Sequence, residues 1–154
     1  MTASSMWHTA GKRWKNQVLN KTVNLPTNLY LGLRQLDGAS GHPADAAQSD
    51  TLSSNLQEVS TTSTGYARIP ITLNATNFPE AASSTDSLIT GLPQTFTFTG
   101  AGLPVNGITH AFLATTSDSS GVLLLSFALS VTRNMGTNGD TITVTPKLLE
   151  ENGA

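Results

Sequence analysis

Residues 122–132 read Val-Leu-Leu-Leu-Ser-Phe-Ala-Leu-Ser-Val-Thr. Alternate positions, from Leu123 through Leu125, Phe127 and Leu129 to Val131, are apolar, which is the period a strand needs to bury one face. The same period recurs along the chain. Leu29, Leu31 and Leu33 alternate with Tyr30, Gly32 and Arg34, and Ile108, His110, Phe112 and Ala114 share a face of 108–115. In 66–73 the face Ala67, Ile69, Ile71, Leu73 lies opposite Pro70, which has no N–H to give a ladder, so this strand is expected at an edge or a bulge. Shorter signals stand at 87–90 and 95–99. Asn138-Gly139 is the favoured dipeptide of a two-residue type I′ turn, which predicts a hairpin returning through 141–145. Polar stretches at 37–55 and 74–87 read as loops. Seven or eight strands of this kind predict an all-β fold: a single β-sandwich with jelly-roll or Ig-like Greek-key connections.

One segment breaks the pattern. Over residues 3–23, Trp7, Ala10, Trp14 and Val18 recur at helical spacing, with Ser4 or Ser5 as N-cap and Asn24-Leu25-Pro26 as the stop. Gly11 costs this helix about 1 kcal/mol relative to Ala, so the helix needs packing to persist. The expected organisation is an N-terminal helix or arm over 1–27, followed by a β-sandwich domain over 28–154.

Charge is sorted along the chain. Residues 1–36 carry Lys12, Arg13, Lys15, Lys21 and Arg34 and no acid, so their charge is +5. The remaining residues carry Arg68, Arg133 and Lys147 against all ten acids, so theirs is −7. A basic arm on an acidic body suits a subunit that docks on a neighbour, because complementary potentials steer contact and fix register. Trp7, Lys12, Arg13, Trp14, Lys15 and Lys21 are therefore the candidate docking residues. The plainer alternative is that the tryptophans pack on the chain's own sandwich. Four cations without a groove-reading motif are a poor grip on nucleic acid, and no apolar run approaches the roughly 20 residues of a membrane span.

Composition narrows the class further. Charged residues make up 12%, about half the roughly 25% usual for soluble domains, while 23 Thr and 16 Ser fill strands and turns. There is no Cys, so disulfides and thiolate metal sites are excluded, and the N-terminus lacks the apolar stretch of a secretory signal. His8, His42 and His110 fall in a helix, a loop and a strand, none at metal-ligand spacing from another. Calcium at Asp45 and Asp50, or at Asp118, lacks an EF-hand-like spacing. No Gly-x-Ser-x-Gly elbow occurs, and Gly100-Ala101-Gly102 runs into Leu103-Pro104 as a turn. Neither a catalytic set, a cofactor nor a metal is expected. Glu58 and Arg68 stand at equal distances from a turn near Ser63, which predicts an ion pair that sets register.

Several segments carry a resemblance. Asn28-Leu29-Tyr30-Leu31-Gly32-Leu33 is followed by Glu58-Val59-Ser60 and Gly65-Tyr66-Ala67-Arg68. Gly107-Ile108-Thr109-His110-Ala111-Phe112-Leu113, Gly121-Val122-Leu123-Leu124 and Gly139-Asp140-Thr141-Ile142 complete the set. In this order and spacing they resemble a family of small bacteriophage virion proteins labelled tail-fibre or minor structural proteins, which also open with a short helix. The 37–55 loop departs from the family's shorter, Asp-containing connection. The resemblance implies a β-rich virion component without catalysis, made in the host bacterial cytoplasm and working beside other virion proteins. The leading expectation is a capsid decoration (cement) protein on the head shell. The alternative is a tail or neck component: a tail fibre, an adaptor or a receptor-binding knob. A homo-oligomer is expected in either place, and a trimer suits both. A carbohydrate-binding module ranks below these, because most of the nine aromatics occupy core-phase positions.

Overall fold

A computed structural model describes residues 5–35, 49–54, 56–82 and 87–150. In chain order its elements are β1 (Ser5–Trp7), α1 (Thr9–Leu19), β2 (Asn28–Gln35), β3 (Ile69–Thr72), β4 (Glu80–Ala82), β5 (Ser87–Thr90), β6 (Gln94–Thr97), β7 (Val105–Ala114), β8 (Leu123–Met135), β9 (Thr141–Val144) and β10 (Lys147–Glu150). The fold is mostly β with one N-terminal helix, the class that the alternating pattern predicts. An antiparallel sheet of order β1-β8-β7-β2-β3 forms the centre, beside a three-stranded sheet β10-β5-β4 and a two-stranded sheet β6-β9.

The central sheet is covered on both faces. Leu29, Leu31, Leu33, Ala111, Leu113, Leu125 and Phe127 join the main apolar cluster, to which Phe96, Phe98, Ile142 and Val144 add the small β6-β9 sheet. A second cluster of Leu52, Leu56, Phe112, Ala114 and Leu123 forms where Leu52 and Leu56 fold over the sheet. That cover explains why Gly32 and Arg34, which alternation alone would leave facing solvent, are buried. Gly32 pairs with Phe112, and a Cβ at Gly32 would overlap the Phe112 ring.

Five expectations change. The helix does not run from 3 to 23. Ser5–Trp7 instead pairs with Leu125–Phe127 of β8, His8 takes the N-cap position without a side-chain cap bond, and the helix ends at Leu19. A free sheet edge offers these three residues ladder hydrogen bonds, which outweigh their place in a helical stripe. Ser4, the other proposed cap, lies outside the described residues. The apolar ladder of β8 is buried only over its first half: Val131 is 58% exposed. β1 covers β8 only as far as Phe127, and beyond it the β7 pairing is interrupted by register shifts that re-aim the side chains.

The Asn138-Gly139 dipeptide turns the chain, but no β8–β9 hairpin follows. β9 pairs with β6, Gly139 alone takes a left-handed φ of 98°, and Asp140 N–H donates to the Thr137 carbonyl. Positive φ at the second central position only is the signature of a type II turn, whose twist does not lead back along the same strand. The strand expected over 66–73 shortens to Ile69–Thr72, on the sheet edge with Pro70 exposed. The stretch 74–87, read from sequence as a loop, holds β4, and β4 and β10, which have no sequence signal of their own, pair with β5.

Candidate interaction surface

Helix α1 carries Lys12, Arg13 and Lys15 and no acid, and its seat on the sheet is a backbone contact. Gly11 is the buried residue of the helix, and a Cβ there would overlap the Leu124 carbonyl oxygen. The His8 N–H donates to that same carbonyl at 2.9 Å, so the strand-to-helix junction is fixed at the point of closest approach. Trp7 and Trp14 are half-buried and pack against the main cluster. They serve the chain's own core, as in the plainer of the two readings.

Around that seat the cations face outward. Lys12, Arg13 and Lys21 are exposed, Lys21 just beyond the helix with a left-handed φ of 59°. The Lys15 Nζ lies 4.3 Å from the centre of the Trp7 ring, a cation–π contact. Partial burial, and then the neighbouring Lys12 charge, hold the Lys15 pKa below its ordinary value. Trp14, Lys15, Asn16, Val18 and Leu19 line an open groove of about 400 Å³, and at its end Leu19 is 81% exposed. Leu25 is 61% exposed in the segment that follows. On another side of the helix, Arg13 and Gln17 line a cavity of about 520 Å³ with Asp50, Thr51 and Val122.

Arg34 does not belong with these cations. It is buried, its Nη2 donates to Asp50 Oδ2 at 2.6 Å and its Nε to the Leu56 carbonyl at 2.7 Å. Its Nη1 donates to Ser126 Oγ at 3.2 Å, which in turn shares a 2.8 Å hydrogen bond with His8 Nε2. This chain of buried polar groups ties the α1 junction, β8, β2 and residue 50 together. Its members are 118, 92 and 16 residues apart, and no local signal in the sequence links them. His8 and Ser126 are sealed from solvent, so their contact works as a tether.

The structure brings Glu58 and Arg68 together in a two-pronged pair, Nε to Oε1 at 2.8 Å and Nη2 to Oε2 at 2.7 Å. They do not face each other across a regular hairpin: only Ile69–Thr72 is strand nearby, and Glu58 bridges to Arg34. Arg68 Nη1 also donates to the Thr116 and Asp118 carbonyls, and the guanidinium lies 5.2 Å from the Phe112 ring centre. Burial works against the Arg68 charge, but the Glu58 hydrogen bond and charge outweigh it and raise the pKa. Tyr66 OH accepts the Leu33 N–H at 2.9 Å and donates to Glu58 Oε1 at 2.8 Å. Burial, and then the Glu58 charge, push the Tyr66 pKa well above its ordinary value.

The remaining polar candidates serve local structure. Asp118 Oδ1 accepts from the N–H and hydroxyl of Ser120, and Asp140 accepts from Gly136 and Thr137, which lowers the pKa of both carboxyls. His110 Nδ1 is 2.9 Å from Thr109 Oγ1. His42 and Asp45 lie outside the described residues. Among the described residues no three metal-ligating side chains cluster, and no helix is long and apolar enough to cross a membrane.

No individually curated protein matches the chain. The family described as podophage GP4 fiber I protein gp80 matches residues 5–150. The match begins with β1 and ends with β10, so it takes in the helix, its seat and all three sheets. The chain therefore belongs to the podophage GP4 fiber I protein gp80 family and is a phage virion structural protein.

Proposed function

We propose that the protein is a non-enzymatic subunit on the tail side of the virion, a fibre component that works as a homo-oligomer among other tail proteins. The observation that carries this reading is the fibre-family match across 146 consecutive residues, 5–150. The outward cations of α1 beside the exposed Leu19 agree with it, since a structural subunit needs a surface for its neighbours. A capsid decoration role, the leading expectation from sequence, has less support, because the matched family is described by a fibre and not by a head protein.

Counting copies in purified particles tests the position. A tail-side fibre subunit is present in tens of copies or fewer and is labelled by antibody at the tail. Abundance close to that of the major capsid protein, with label over the head, would overturn the tail reading in favour of decoration.

A further inference from the structure

Once the internal pairs are set aside, the charge sorting becomes sharper. Arg34 is consumed by Asp50 and Arg68 by Glu58, both pairs within the body of the protein. With Lys15 held over the Trp7 ring, the exposed cations that remain in residues 1–36 are Lys12, Arg13 and Lys21, with no acid among those residues, while every other carboxylate lies beyond residue 36. Among the described residues, Lys12, Arg13 and Lys21 pair with no carboxylate. They cannot swing onto their own body as a mobile arm would, because Gly11 and His8 fix the helix on Leu124.

We infer that the outer surface of α1 docks on the acidic body of a second copy of this chain, in a head-to-tail contact. Leu19 and the Trp14–Leu19 groove supply an apolar anchor; Lys12, seven residues before Leu19 and so on the same face of the helix, and Lys21, two residues beyond it, supply the charge beside it. The exposed leucine beside the cations favours a protein surface over a phosphate backbone. A copy of the same chain supplies the opposite charge at equal concentration. The contact uses different patches on the two partners, so it is heterologous and closes into a ring wherever its rotation permits. This inference rests on the homo-oligomer reading above and names the surface that builds the oligomer.

Sedimentation velocity and light scattering on the full chain test it. The expected result is self-association that weakens at least about tenfold between about 50 mM and about 500 mM salt. Lys12→Glu with Lys21→Glu, or Leu19→Asp, should give monomers whose melting temperature matches wild type, since all three positions are exposed. Mixing separates head-to-tail from face-to-face contact. The charge-reversed chain keeps its acidic body, so it should still bind the helix of wild-type protein and arrest ring growth at short mixed oligomers. A wild-type monomer at every salt concentration would overturn both this inference and the homo-oligomer reading. An oligomer that ignores the three substitutions, or one that excludes the charge-reversed chain, would overturn the α1 surface and leave homo-oligomerisation standing.

Discussion

Arg34 and Arg68 on one side, and Lys12, Arg13 and Lys21 on the other, are cations in opposite environments. The first two are buried or nearly so, and each is held by a carboxylate and by backbone carbonyls. The other three stand in solvent on or beside α1. A buried guanidinium costs several kcal/mol to desolvate, so it is tolerated only where its donors are met, and removing one partner strands the other. An exposed lysine costs almost nothing and stabilises almost nothing. The inner set therefore belongs to folding and the outer set is left for the association proposed above, although the sequence presents Arg34 and the outer set as one basic segment.

The contrast can be broken by experiment, beginning with the largest effect. Arg34→Ala takes the guanidinium partner away from the buried Asp50 carboxylate and should destabilise the fold by about 3–5 kcal/mol, read by urea denaturation. A loss below about 1 kcal/mol would mean that Arg34 is no more structural than the lysines of α1. Gly11→Ala drives a methyl into the Leu124 carbonyl and should cost about 1–3 kcal/mol. Its loss of amide protection should concentrate in α1 and leave β2 and β7 protected, as hydrogen exchange would show.

Tyr66→Phe removes the acceptor of the buried Leu33 N–H and should cost about 1–3 kcal/mol at neutral pH. Its pH dependence carries a sign. The folded-state pKa of Tyr66 is raised, so the unfolded chain loses its proton first, and stability falls as pH climbs above about 10. The Phe variant should lack that part of the alkaline decline. Smallest of all, Lys12→Gln should change stability by no more than about 0.5 kcal/mol. A larger loss would place Lys12 with the inner cations.

Legibility followed the range of the interaction that decides each feature. Leu29, Leu31 and Leu33 announce β2 because alternation is local, and Pro70 announces an edge because a missing N–H is local. Glu58 and Arg68 were within reach for the same reason, ten residues apart around a turn. Asn138-Gly139 signals a turn equally well but not which strand β9 will pair with, a choice made by Phe96 and Ile142 joining the main cluster. Ser5–Trp7 reads as part of a helix until the bare edge of β8 is present to pair with it. Leu129 and Val131 continue the pattern of Leu123, Leu125 and Phe127, yet Leu129 is only half-buried and Val131 is exposed, because the β7 pairing slips register beyond Ala128. Arg34 meets Asp50 only because Asp50, Leu52 and Leu56 return over the sheet, which no spacing near Arg34 foretells.

The seat of α1 on Leu124 has a consequence for how this family can diversify. Because main chain touches main chain there, the height and tilt of the helix are gauged by atoms common to every amino acid except for the hydrogen on Gly11. Core side chains away from Trp7 and Trp14 can change without moving that gauge. The outward residues of the helix can change just as freely without loosening it. A lineage can therefore re-target its helix surface and repack its interior as two separate evolutionary problems, provided that the glycine stays.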